Sequence, residues 1–381
     1  MQVTTSAVAS ESRALYAEPL CILAFATQGA GGDDEKRLRD LLETLPVEFF
    51  SFTRGSRWAS FRSLLQELLR DRYSLAVMEG SGIGGGAALL LARWLRGRPY
   101  VVSSGDAVGP FLKSRMPWGA PIFYLYERLL CRFAAGFIGW TPMLAGRALT
   151  FGCPRAMTAT GWAPFTLPSE QRAEARARVR RSLGIDENAL VFGLVGSLDW
   201  NPRVGYCYGW ELVQAAGRAG SRSDICVLVA GDGDGLAELK AAAARLKARV
   251  VFPGRIPRAQ VPEFLAAMDV ASLPQTVDQV GSFRYTTKLS EYLAAGLPVI
   301  TSRIPLSYDL NTGWLWRLPG ATPWGEEFIS SLAGLMRTIH VDDLVRKRSA
   351  LPPHVFDKAA QVDRVTQFIE DLLPKAPACS L

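Results

Sequence analysis

Short apolar runs alternate along the chain with segments whose apolar positions recur at three- and four-residue spacing. The runs at 21–27 (CILAFAT), 47–52 (VEFFSF), 74–78 (SLAVM), 100–104 (YVVSS), 137–140 (FIGW) and 156–160 (AMTAT) read as strands, and the stretches between them, including 119–135 and 142–150, read as helices. Uninterrupted apolar strands are buried on both faces, as in parallel sheets whose crossover helices cover each side. The pattern therefore predicts a doubly wound α/β sheet. It breaks at GWAPFTLPSE (161–170), and QRAEARARVRRSLGI (171–185) reads as a helix with its arginines on a solvated face. A second series follows at 190–196 (LVFGLVG), 225–231 (ICVLVAG), 249–254 (RVVFPG), 270–274 (VASLP) and 297–302 (LPVITS), and Trp314 and Trp316 also have the alternate spacing of a strand. The expected organisation is a loose tail over 1–19, a first domain over 20–165, a linker over 166–186 and a second domain over 187–355. A last helix over 356–374 then folds back toward the first domain, with little structure after Pro374. Two such domains imply a cleft, and in open parallel sheets ligands gather beyond the carboxyl ends of the strands.

Composition narrows the chemistry. With 381 residues, 49% hydrophobic and 21% charged, the chain has apolar surface enough for two cores, which excludes a largely disordered protein. The net charge of +7 comes with 8 lysines among 43 basic residues and no long run of like charge. That is an arginine bias rather than a nucleic-acid-binding tract, and acidic small molecules such as nucleotides suit it equally. Six cysteines without a C-x-x-C pair, and only His340 and His354 beside them, build no zinc site, so free thiols in a reducing cytoplasm are expected. No secretory signal or long apolar span is recognised; the nearest candidate, 121–140, carries Glu127, Arg128 and Arg132.

Three glycine-rich turns follow strands. Thr27-Gln28-Gly29-Ala30-Gly31-Gly32-Asp33-Asp34 joins the first strand to the first helix, where glycines admit a ligand to the backbone or simply make a tight turn with acidic capping. Gly80-Ser81-Gly82-Ile83-Gly84-Gly85 fits the dinucleotide pattern G-x-G-x-x-G, with Asp106 after the next strand as a ribose-binding acid. It follows the third strand of its domain, and close helix–sheet packing is its other explanation. Gly231-Asp232-Gly233-Asp234-Gly235 reads as an ordinary strand-to-helix turn. The most informative segment is GSFRYTTKLSEYLAAG (281–296). There a loop with hydroxyls enters a helix carrying Lys288 and Glu291, three apart on one face. A helix N-terminus with a lysine suits a diphosphate, and a carboxylate one turn on suits a ribose diol; taken alone, the two residues read equally as an exposed Lys-Glu pair on a surface helix.

The run from Lys288-Leu-Ser-Glu291 to Gly296-Leu-Pro-Val-Ile resembles the nucleotide-sugar signature of GT-B glycosyltransferases, above all family 4, and the blocks at 229–239, 251–256 and 261–274 are similar in order and spacing. The resemblance implies a GT-B fold: two Rossmann-like doubly wound domains facing a cleft, the first binding an acceptor and the second a nucleoside-diphosphate sugar. It implies that Glu291 holds the ribose and that Lys288, or the backbone of Arg284, Tyr285, Thr286, Thr287 and Leu289, holds the diphosphate. It also places Arg255 and Ile256 near the base, Gly196, Ser197 and Arg203 near the phosphates, and Gly29, Gly31 and Gly32 near donor phosphate or acceptor. Lys288, Arg203 and Asp106 are the implied catalytic groups. Retention of configuration, with neither metal nor cofactor, completes the scheme, and glycoconjugate or polysaccharide assembly is the implied setting. The chain departs from the family pattern at Phe283, where a second acid is usual, at Ser197 and Arg203, and at Gly105-Asp106, where a histidine is usual. Tyr206-Cys207-Tyr208-Gly209-Trp210 reads as an aromatic platform or as core. Phe111, Lys113, Arg115, Trp118, Phe123, Tyr124 and Tyr126 raise a peripheral contact with the inner face of a membrane, or interior packing. Two other readings stay open: an NAD(P)-dependent oxidoreductase built on the 80–85 glycines, and a non-catalytic nucleotide-sugar-binding protein.

Overall fold

The computed structural model describes residues 21–80, 82–220, 222–310, 312–352 and 356–373; the expected tail over 1–19 and the stretch from Pro374 lie outside them. The described residues form two compact units, the first running up to residue 160 and resuming at 357, the second spanning 161–356.

In the first unit, β1 (Ile22–Ala26), β2 (Val47–Phe49), β3 (Leu75–Glu79), β4 (Tyr100–Ser104), β5 (Gly136–Gly139) and β6 (Ala156–Thr158) form one parallel sheet in the order β2-β1-β3-β4-β5-β6. Every residue of β1, β3, β4 and β5 is buried, which is why these segments lack polar alternation. The helix Lys358–Glu370 belongs to this unit and seats Val362, Val365 and Ile369 in its interior. Lys358 pairs there with Asp40 and Glu43, each at 3.1 Å.

The second unit repeats the architecture with β7 (Leu190–Val195), β8 (Ile225–Ala230), β9 (Val250–Gly254), β10 (Val270–Leu273), β11 (Val299–Ser302) and β12 (Leu315–Leu318). These are parallel in the order β12-β11-β10-β7-β8-β9. Strand order reverses between β7 and β10, and the loops beyond that pair occupy the usual ligand-binding position of such sheets. The core packs Phe192, Leu194, Leu212, Val227, Val229 and Ile300 with Phe328 and Leu332 of the helix Glu326–Thr338.

The arginine-rich helix Arg172–Ser182 corrects one expectation. Its arginines do not all face solvent: Arg180 is 1% exposed and pairs with Asp269 at 2.7 Å, while Arg176 meets the other oxygen of the same carboxylate at 2.8 Å. Asp269, just before β10, also accepts the Val191 N–H at 2.9 Å. A buried carboxylate needs cations and donors to offset its lost hydration, and this helix supplies two. The five described cysteines are free thiols.

Candidate functional site

In the second unit the chain leaves β7 at Gly196 and returns at the helix Thr287–Ala294. A Cβ on Gly196 would lie 2.7 Å from Lys288 Cε and 3.2 Å from its Nζ, so the glycine is what allows the ammonium to lie over the end of β7. Gly231 has the same cause: φ is +156° and a Cβ would strike the Gly196 carbonyl oxygen at 1.9 Å. The Gly231–Gly235 turn thus serves close approach of two loops.

Lys288 and Glu291 are both half-buried, and the side chain of neither makes a hydrogen bond or ion pair with any described residue. Burial lowers the Lys288 ammonium below the usual lysine range, opposed by Glu291, and raises the Glu291 carboxyl, opposed by Lys288 and Arg258. The Lys288 Nζ lies 4.9 Å from the centroid of the Tyr208 ring. At the start of this helix Thr286 offers no side-chain cap, and its Oγ1 is buried without a hydrogen-bond partner. The Thr287 and Lys288 N–H groups at the start of the first turn have no intrahelical acceptor, so the element presents donors, a cation and a carboxylate.

The remaining expected donor residues divide. Tyr285 is buried, its ring packed 5.7 Å from Phe356 and against Gly161. Leu289 is a core residue, 3% exposed, and its N–H bonds to the Thr286 carbonyl at 3.1 Å; it offers a ligand neither side chain nor N–H, because its face of the helix packs on the sheet. Thr287 and Ser197 are exposed, Arg284 is half-buried, and Arg255 and Ile256 follow the left-handed Gly254 at the end of β9. Arg203 sits exposed in the turn of a small hairpin bridged at Asn201 and Tyr206, with its N–H on the Asn201 side chain at 3.1 Å.

Glu211 was not legible as a site residue. Fully buried in the first turn of the helix Trp210–Arg218, it accepts hydrogen bonds from the Tyr206 hydroxyl at 3.1 Å, the Gly209 N–H at 3.2 Å and the Ser272 hydroxyl at 3.0 Å. Burial pushes its carboxyl up to about 7. It joins the turn that carries Tyr208 to strand β10. The only sequence signal was a glutamate inside an otherwise apolar helical face.

In the first unit, Gly29 and Gly31 have φ of +105° and +77°, so the turn after β1 does require glycine. The Gly31 N–H is taken by the Glu35 carboxylate at 2.5 Å, and the Gly29 N–H by the Ala26 carbonyl at 3.2 Å. Gly82, Gly85 and Gly86 are packing glycines: a Cβ would lie 2.5 Å from Thr27 Cβ, 2.7 Å from the Phe25 ring and 1.9 Å from the Tyr126 hydroxyl, respectively. The dinucleotide-like pattern therefore lets the helix Ile83–Arg96 lie against its neighbours. Asp106 is half-buried in a local turn whose N–H and carbonyl both meet the Ser104 hydroxyl. Beside it lies a group that sequence reading missed. The buried Glu79 takes Arg37 at 2.8 Å and the Trp140 indole N–H at 3.2 Å, with the Arg37 guanidinium 4.2 Å from the Trp140 ring.

Two doubly wound parallel units, with a lysine and a carboxylate poised at the switch point of the second, define a GT-B protein. The family model described as "Glycosyl transferases group 1" matches residues 189–320, and that described as "Glycosyl transferase 4-like domain" matches residues 1–160. The chain belongs to these glycosyltransferases, a family of enzymes that transfer sugars. Among solved structures it is similar to Anabaena Alr3699/HepE in complex with UDP and glucose, with a TM-score of 0.65 and 18% identity over 92% of this chain and 100% of that one. It is also similar to the sucrose-phosphate synthase of Thermosynechococcus elongatus, with a TM-score of 0.64 and 13% identity over 93% of this chain and 99% of that one. The 2-deoxystreptamine glucosyltransferase of Streptomyces kanamyceticus is 29% identical over 187 residues, 47% of this chain and 45% of that relative, so the match spans less than half of the relative's length. No described helix is long and apolar enough to cross a membrane.

Proposed function

We propose that the protein transfers a sugar from a UDP-sugar to a glycan, lipid-linked or small-molecule acceptor, with retention, in glycoconjugate or polysaccharide assembly. The observation that carries this reading is the pair Lys288 and Glu291, half-buried at the switch point, whose side chains make no hydrogen bond or ion pair among the described residues. Half-buried charges left unpaired are costly, and a diphosphate and a ribose diol supply the missing partners. UDP is chosen because HepE was solved with UDP and with UDP-glucose.

In this reading the Glu291 carboxylate accepts both ribose hydroxyls. The Lys288 ammonium and the N–H groups of Thr287 and Lys288 at the helix start face the diphosphate. As the anomeric C–O bond breaks, negative charge grows on the departing phosphate oxygen, and fixed donors aimed there stabilise it more than they stabilise the intact donor. The acceptor oxygen bonds to the anomeric carbon and its proton passes to that phosphate oxygen. The scheme calls on no resident cofactor and no metal. Arg203, exposed in its hairpin turn, serves as a further phosphate contact.

A thermal-shift titration with UDP, GDP, ADP, TDP and NADH tests the reading, since a ligand at a hundredfold its Kd stabilises the native state by ~2.7 kcal/mol. The expected result is a shift with UDP that Glu291→Ala abolishes, and a loss of more than about tenfold in transfer for Glu291→Ala and Lys288→Ala each. A shift with NADH alone, or unchanged kinetics in both variants, would overturn it.

A further inference from the structure

The first unit carries an exposed apolar and basic face on the helix Ala120–Phe133 and the turn before it, Pro117–Gly119. Trp118 is 80% exposed, Ile122 65% and Leu125 56%, and their spacing of four and three residues puts them along one side. Met116 precedes them, also exposed, and at the far end Phe133 stacks edge-on at 5.7 Å with Trp94, itself 55% exposed. The opposite side is interior: Phe123 and Leu130 are buried, and the Tyr126 hydroxyl bonds to the Gly82 carbonyl at 3.1 Å. Of the aromatics expected to make membrane contact, then, Phe123 and Tyr126 belong to packing, Phe111 and Tyr124 are half-buried, and Trp118 is exposed.

Charge decides what this face fits. From Val108 to Phe133 the one acidic residue is Glu127, and it is buried, held by Arg147 at 2.6 and 2.8 Å and by the Val108 N–H at 3.1 Å. The outward charges of the same stretch are Lys113, Arg115, Arg128 and Arg132, all exposed. A soluble protein gains nothing from leaving a tryptophan and two aliphatic side chains in water among exposed cations. An amphipathic helix with an indole at one end and cations alongside matches the boundary between headgroups and acyl chains. We propose that this face docks the protein on a bilayer bearing anionic headgroups, with Trp118, Ile122 and Leu125 inserted and the four cations on the phosphates. The inference rests on the surface of the first unit and is independent of the donor reading.

Full-length protein is mixed with sucrose-loaded vesicles, either pure phosphatidylcholine or with about a third of the lipid replaced by phosphatidylglycerol, and sedimented at low and high salt. The wild type should pellet with the anionic vesicles at low salt, less at high salt, and not with neutral ones. The triple variant Trp118→Ser, Ile122→Ser, Leu125→Ser should lower the partition coefficient at least about tenfold, and Arg115→Gln with Arg128→Gln should lower it and flatten its salt dependence. Circular dichroism and an unchanged nucleotide-induced thermal shift establish that the variants are folded. Failure of the wild type to pellet with anionic vesicles overturns the proposal. So does a serine variant that pellets like the wild type, or self-association through this face in sedimentation velocity without vesicle binding.

Discussion

At the scale of single residues, the donor site turns on how a half-buried ammonium is kept charged. Burial disfavours the charged form of Lys288, the Arg284 guanidinium adds to that, and Glu291 opposes both. The Tyr208 ring, 4.9 Å from the amine, favours the cation through its negative face, an effect of roughly 0.5–2 kcal/mol when partly desolvated. Replacing Tyr208 with leucine should therefore move the alkaline limb of the pH profile of donor kcat/KM to lower pH, with a loss of roughly 2- to 30-fold at neutral pH, whereas Tyr208→Phe keeps the ring and the limb. A Leu variant whose profile overlays the wild type would remove Tyr208 from the site. Lys288 and Glu291 were readable in the sequence because the run that carries them resembles a family signature; their three-residue spacing alone also fits an exposed pair on a surface helix. Tyr208 was visible only as part of an aromatic run, since its contact with Lys288 depends on a turn whose left-handed Gly209, φ +92°, is a property of the folded backbone.

At the scale of elements, the parallel strands were legible because strands buried on both faces need continuous apolar sequence, and the observed β4 coincides with the run read at 100–104. What pattern reading misses is a polar group inside an element. Arg180 on a helix of arginines reads as solvated, and Glu211 in a first helical turn reads as a surface acid placed there by the helix dipole. In the fold both are buried because a partner on another element meets them. For Glu211 this has a pH signature. Its folded-state value of about 7 lies above the ordinary carboxyl value, so the folded state holds the proton more tightly than the unfolded chain does. The resulting stability is fully present below the unfolded value and is lost as pH rises through about 7. Urea unfolding of the wild type should accordingly give lower stability at pH 8 than at pH 5.5, and Glu211→Gln should flatten that slope. An identical slope in the variant would show that the dependence originates elsewhere; Glu79, also pushed up to about 7 by burial, and Glu291, whose carboxyl burial raises, have the same sign.

At the scale of the whole molecule, the chain visits the first unit twice, and its last helix is a structural part of that unit. Val362, Val365, Ile369 and Leu373 are buried, and Phe368 and Leu372 fill the space beside Gly136 of β5, where a Cβ would lie 2.7 and 2.8 Å from their side chains. Burying an aliphatic side chain stabilises by about 1.5–3 kcal/mol, so the four together contribute about 6 kcal/mol or more, comparable with the whole stability of a typical domain. A chain ending at residue 356 should therefore leave the first unit unfolded or loosely packed while the second, with its own sheet and core, stays native. Limited proteolysis should degrade residues before 160 and spare a fragment beginning near Gly161, and UDP should slow cleavage of that fragment alone. The milder Ile369→Ala, costing about 2–5 kcal/mol, should lower one calorimetric transition and leave the other in place. If both transitions fall together, the units are not independently stable. If neither moves, the helix is an accessory to the first unit rather than part of its core.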